Sequence, residues 1–113
     1  MNANPMAVFK EEAPEASEAF DGLIEALCAR SDGMDDRTRQ LVYLTMKAAQ
    51  GDTAAVHAHV PMAKAAGATR GEVRDAVLMT LTVSGIRGTL SCLGPALETY
   101  DATSPGLAKA RPA

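Results

Sequence analysis

In the first third of the chain the apolar positions Phe20, Leu23, Ile24, Leu27 and Cys28 recur at i, i+3, i+4, i+7 and i+8. That spacing puts them on one helical face and predicts a first helix from Pro14 to Arg30. Pro14 suits an opening turn, where its missing N–H has no intrahelical partner to lose. Ser31-Asp32-Gly33 reads as a turn, and Asp35 or Asp36 can then cap a second helix running to about Gln50. That helix is expected to bury Leu41, Val42, Leu44, Met46, Ala48 and Ala49. Gly51-Asp52-Thr53 breaks the pattern; Asp52 or Thr53 caps a third helix, expected to end at Gly67. Thr69-Arg70-Gly71-Glu72 has the spacing of a capping box, in which the Thr hydroxyl and the Glu carboxylate each take one free N–H. The fourth helix, Arg70 to Ser84, is apolar on nearly every side through Val73, Ala76, Val77, Leu78, Met79, Leu81 and Val83, which predicts burial all round. After a turn at Gly85 to Gly88, Leu90, Leu93, Leu97 and Tyr100 mark a fifth helix kinked near Pro95. Residues 1–12 lack a period and are expected to form an arm, and residues 103–113 a loose tail. No strand pattern interrupts the series. The expected fold is all-α: a single domain over 1–113 whose core, 13–102, is a bundle of about five to six helices.

Composition narrows this picture. Aromatic residues make up 4% of the 113 positions and tryptophan is absent, so the core must be built from Ala, Leu, Val and Met, which favours closely packed helices. A chain of this size buries roughly 65% of its unfolded surface, enough for one modest core. A net charge of −3 argues against nucleic acid as a partner, because phosphate backbones reward basic faces. No apolar run approaches the roughly 18 residues of a membrane span. The N-terminal MNANPMAVFKEEAPE lacks the basic start and apolar run of a signal peptide, so a cytoplasmic protein is expected. Cys28 and Cys92 read as free thiols rather than a disulfide or a metal pair. The all-round apolar fourth helix needs more cover than its short partners provide, which predicts a homo-oligomer.

His57 and His59 are the only histidines, and both lie in GDTAAVHAHVPMAKAAGATRGE, residues 51 to 72. Positions two apart on a helix point about 200° apart. His59 joins Val56, Val60 and Ala63 on the apolar stripe, whereas His57 sits with Pro61 and Lys64 on a flank expected to meet water. One metal held by both rings is disfavoured, since helical chelation uses i, i+4, and no metal or cofactor is expected. Pro61 leaves two readings open: it kinks the helix beside His59, or it starts a shorter helix with the histidines on a loop. On residue chemistry alone His59 is either a satisfied core residue or a functional one.

The block from Met34 to Gly88 adds a resemblance. Asp36-Arg37-Thr38-Arg39-Gln40-Leu41, followed by His59, Ala63, Gly67-Ala68-Thr69 and Glu72-Val73, resembles the carboxymuconolactone decarboxylase family, with weaker agreement over residues 10 to 102. The resemblance implies an all-helical, alkylhydroperoxidase D-like bundle assembled as a homotrimer or homohexamer. One branch of that family decarboxylates carboxymuconolactone; the other reduces peroxides through a Cys-x-x-Cys pair. The two thiol positions fall here on Asp52 and Ala55, and a glutamate of the thiol branch falls on Gln40. The thiolate is the nucleophile in peroxide chemistry, so peroxidase activity is not expected. His59 matches the histidine of both branches. The resemblance therefore implies a cofactor-free lyase acting on a small organic acid, with His59 as general acid/base and His57 and Gln40 as secondary candidates. Arg87, Arg39 and Lys64 are the candidate cations for a substrate carboxylate, Arg87 being the best placed in its Gly-Ile-Arg-Gly turn. The competing expectation is a non-catalytic assembly or ligand-binding module of the same fold.

Overall fold

Asn4 opens the first element: its side-chain oxygen accepts from the backbone N–H groups of Met6 and Ala7, and Pro5 fills the first helical position. Helix α1 therefore runs Pro5–Glu12. The arm expected to lack regular structure is helical over these residues, because a cap and a proline with fixed φ start the helix where no apolar period announces it. A computed structural model describes residues 4–104, and the tail positions 105–113 lie outside the described residues. Six α-helices and one 3-10 turn make up the described elements, none of them a strand, so the fold is all-α. They gather into two compact units that divide between Met34 and Asp35.

The first unit holds α1 and α2, Pro14–Cys28. Phe9 and Phe20 meet edge to face, with ring centroids 6.1 Å apart. The stripe predicted on α2 is present, and Phe20, Leu23, Ile24 and Leu27 on it are exposed.

The second unit contains α3 (Asp36–Ala49), α4 (Thr53–Ala65), α5 (Arg70–Leu78), a 3-10 turn (Met79–Thr82) and α6 (Arg87–Ala102). The caps follow the sequence. Asp35 accepts from Thr38 N at 2.8 Å, Asp52 from Ala55 N at 3.0 Å, and Thr69 and Glu72 form the reciprocal capping box. Gly67 takes φ 98° just beyond α4, a conformation that disfavours any side chain. Leu44, Ala48, Val56, Val60, Ala63, Val73, Val77, Cys92 and Ala96 form the dry centre. Burying each of the larger aliphatic side chains is worth about 1.5–3 kcal/mol.

Burial departs from expectation at two places. Val42, Met46 and Ala49 of α3 are exposed rather than buried, because they face away from α4 and α6. The predicted fourth helix ends at Leu78 and tightens into the 3-10 turn, whose three residues per turn shift the angular phase. Thr80 is buried there, and its hydroxyl donates to Val77 O at 2.8 Å, while Met79 and Leu81 stay exposed. Val83 beyond the turn is 87% exposed, and Leu90 on α6 is 73% exposed. The core thus covers only part of this apolar segment.

Each proline inside a helix leaves one carbonyl without its usual donor. Pro61 lies within α4, so the helix runs through it rather than starting at it. The carbonyl it leaves belongs to His57, on an exposed residue where water can reach. Pro95 lies within α6, and the carbonyl it leaves, that of Ser91, accepts from the Thr53 hydroxyl at 3.4 Å. The Thr53 oxygen also lies 3.7 Å from Cys92 Sγ, fastening the start of α4 to the middle of α6.

A close approach occurs at Gly88, which is buried in the first turn of α6. A Cβ there would collide with Ala48 O and lie 3.3 Å from Thr80 Oγ1. In an open helix, alanine in place of glycine would stabilise by up to about 1 kcal/mol. Here overpacking against backbone reverses the sign, and Gly88→Ala should cost about 1–3 kcal/mol or more. Urea denaturation checks this; a midpoint at or above wild type would show that the crossing is not tight.

Candidate functional site

His57 and His59 leave α4 toward different neighbours, as their angular separation requires. His57 is exposed, and its Nδ1 lies 2.9 Å from Thr99 Oγ1 on α6. His59 is half-buried, and its Nδ1 lies 3.0 Å from Gln40 Oε1 on α3. An amide oxygen only accepts, so Nδ1 carries the hydrogen and donates, which leaves Nε2 as the basic nitrogen. Nε2 has no hydrogen-bond partner among the described residues. The His59 ring stacks on Tyr43, with centroids 3.9 Å apart and planes 27° apart.

Gln40, Tyr43 and Lys47 stand at i, i+3 and i+7 of α3, so one stripe of that helix meets His59. The Lys47 Nζ sits over the Tyr43 ring, 5.8 Å from its centroid, and 3.7 Å from Asp52 Oδ2. Burial, and after it the positive charge of Lys47, push the His59 imidazole below its ordinary pKa of about 6.5. At neutral pH the ring is uncharged, held in one tautomer and braced on one face.

The residues singled out in the sequence divide. Gln40 comes directly onto His59. Lys64 is spent on structure: its Nζ donates to Tyr100 O at 2.8 Å and Thr103 O at 2.7 Å and lies 4.4 Å from the Tyr100 ring centroid. It therefore closes the end of α6, as does the Tyr100 hydroxyl, which donates to Ala68 O at 2.7 Å. Arg39 forms an ion pair with Asp36 in the first turn of α3. Arg87 is exposed in the first turn of α6, and its side chain has no ion pair or hydrogen bond among the described residues. Tyr43 and Lys47 join the site without having been expected there. Their signal is the i, i+3, i+7 spacing from Gln40, visible only once α3 is known to lie beside α4.

A mostly apolar groove of about 490 Å³ opens elsewhere on α3, lined by Leu41, Val42, Thr45 and Met46, with Glu72, Asp75, Ala76 and Met79 opposite. His59 is not among its walls. Among the described residues no group of three metal-ligating side chains comes together, and no helix is long and apolar enough to cross a membrane. The positions that carry thiols in the peroxidase branch are joined differently here, because the Asp52 carboxylate caps the Ala55 N–H. Cys92 is buried in the core and Cys28 is exposed on α2.

The lowered pKa of His59 has a consequence for stability. Its folded pKa lies below the unfolded value of about 6.5, so the unfolded chain binds the proton more readily. This contribution is fully present above pH 6.5 and is lost as pH falls below it through the folded pKa. Wild type should lose more stability between pH 7.5 and 5.5 than His59→Gln, measured by urea midpoints. Equal losses would show that His59 titrates alike in both states.

A family model for the carboxymuconolactone decarboxylase family matches residues 14–98, a span that contains Gln40, Tyr43, Lys47, His59 and Arg87. No curated protein matches the chain. No solved structure matches it. With most of its length covered by the family model, including the whole His59 cluster, the chain belongs to the carboxymuconolactone decarboxylase family.

Proposed function

We propose that the protein is a cofactor-free lyase of the decarboxylase type, acting on a small organic acid with His59 as general acid/base. One observation carries this reading: His59 is held by Gln40 at Nδ1 and braced by Tyr43, and its Nε2 has no protein partner among the described residues. In the proposed reaction the carbon–carboxylate bond breaks, CO₂ leaves, and the electron pair stays on carbon as a carbanion or enolate. His59 takes a proton from water at Nε2 and delivers it to that carbon, so each turnover consumes one proton. The bound anionic substrate favours the imidazolium and offsets the influence of Lys47. Peroxide reduction is disfavoured, since Asp52 and Ala55 stand at the thiol positions.

His59→Gln keeps bulk and hydrogen bonding but cannot shuttle a proton. It should fold and lose about 10²- to 10⁴-fold in CO₂ release from carboxymuconolactone or a related small carboxylate, the usual worth of general acid–base catalysis. A folded, active Gln variant would end the catalytic reading. The alternative is a non-catalytic assembly or ligand-binding module of the same fold. The observation favouring it is that His59 lies outside the 490 Å³ groove.

Both readings include self-association in the cytoplasm as a homotrimer or homohexamer. Val83, Ile86 and Leu90 are 87%, 60% and 73% exposed in the single chain, a cost that association removes. Light scattering at micromolar concentration should give a mass of at least three chains; a stable 11.8 kDa monomer would refute it.

A further inference from the structure

The His59 cluster contains a cation that the sequence pattern alone does not single out. Lys47 is half-buried, and its only anionic neighbour among the described residues is Asp52 at 3.7 Å, longer than a hydrogen bond. The other oxygen of Asp52 is engaged at the cap of α4. The ammonium group therefore keeps donors to spare. The hydroxyl of Tyr43 has no hydrogen bond among the described residues, and neither has His59 Nε2. These three groups share one ring: Lys47 sits over Tyr43, and Tyr43 stacks on His59.

We infer that Lys47 is the carboxylate anchor of the His59 site, with the Tyr43 hydroxyl as a second donor to the same anion. The inference rests on the reading of His59 as the proton-transfer group. Other cations are less suited to this role, since Lys64 is committed to the carbonyls of Tyr100 and Thr103, Arg39 to Asp36, and Arg87, though open, starts α6 rather than lying on the α3 stripe that meets His59. A single ammonium with a phenol beside it suits a carboxylate. Phosphate sites typically add a guanidinium fork or a row of backbone N–H groups. Lys47 thus positions the acid group of a small substrate while His59 serves the reacting carbon.

Succinate, with succinamide as the uncharged control, is the probe, and the readout is the ring-proton NMR signal of each histidine at fixed ionic strength. Succinate should shift the His59 signal saturably and leave His57 unmoved, and succinamide should do neither. Lys47→Met should weaken succinate binding at least about tenfold, the worth of a hydrogen bond to a charged group. Lys47→Arg should keep most of the affinity, and Tyr43→Phe, which retains the stack, should weaken it a few-fold. If the Met variant is unstable, Lys47→Gln repeats the measurement. Wild-type affinity in Lys47→Met or Lys47→Gln, equal binding of succinamide, or no saturable shift of His59 would overturn the proposal. Because the readout is binding, the two claims fail separately. An active His59→Gln enzyme, where the wild-type His59 signal reports Lys47-dependent succinate binding, removes only the acid/base role. A His59-dependent enzyme indifferent to Lys47 removes only the anchor.

Discussion

The second unit depends on how closely α6 can approach α3. At Gly88 the backbones are so near that a single methyl group would overlap the carbonyl of Ala48. That approach needs glycine on α6, and it suits a core almost without aromatic rings. With Ala, Val and Cys as its main filling, the centre closes only if the helices come near one another. Once α6 is set against α3, α4 packs on both, and Thr53 ties its first turn to the carbonyl that Pro95 leaves open on α6. The face of α4 that carries His59 is then directed at Gln40 and Tyr43. A contact remote from the imidazole thereby fixes where the imidazole sits.

The chemistry of the site turns on Gln40. A carboxylate at that position could hold His59 and also accept or relay a proton. An amide oxygen can only hold it. The amide fixes the tautomer, leaves Nε2 as the basic atom of the ring, and leaves no carboxylate at position 40 to relay a proton. Burial and Lys47 then act together against the imidazolium. In the proposed reaction the negative charge of the substrate would restore the proton affinity only when the site is filled, which suits a resting neutral ring. At the thiol positions Asp52 and Ala55 form a helix cap, an arrangement that serves folding.

Local rules make much of this legible from the residues alone. Asp35, Asp52 and the Thr69–Glu72 box are short-range devices, and they start the helices where the sequence says they do. The divergence of His57 and His59 also follows from helical geometry. Pro61 falls inside a helix because Asp52 caps one that begins well before it. The misses are non-local or depend on phase. Val42 and Met46 look like core positions until it is known which side of α3 the neighbours occupy. Met79 and Leu81 look buried until the helix tightens at Leu78 and turns them outward. Lys64 and Arg87 look alike in the sequence, as cations open to a ligand. Of these two, Arg87 is the open one, for Lys64 reaches carbonyls more than thirty residues away in sequence. Tyr43 and Lys47 are invisible for the same reason, since their meaning comes from α4. The helix at Pro5–Glu12 escapes the pattern although Asn4-Pro5 is a start signal, because it lacks the apolar period that marks the other helices.

Helix α3 carries two separate stripes, and the separation is itself informative. Gln40, Tyr43 and Lys47 meet the histidine, whereas Leu41, Val42, Thr45 and Met46 line the apolar groove. Gln40 and Val42 are two positions apart, which on a helix is about 200°. A polar site placed on the groove side would have to be desolvated by any partner that covers those apolar residues. With the stripes apart, the apolar side can be covered without burying Nε2 of His59 or the ammonium of Lys47. Changes at Val42 or Met46 would then leave the ring alone, and changes at Lys47 would act on its ionisation. The two stripes are coupled only through the rigidity of α3, whose far end is held by Gly88.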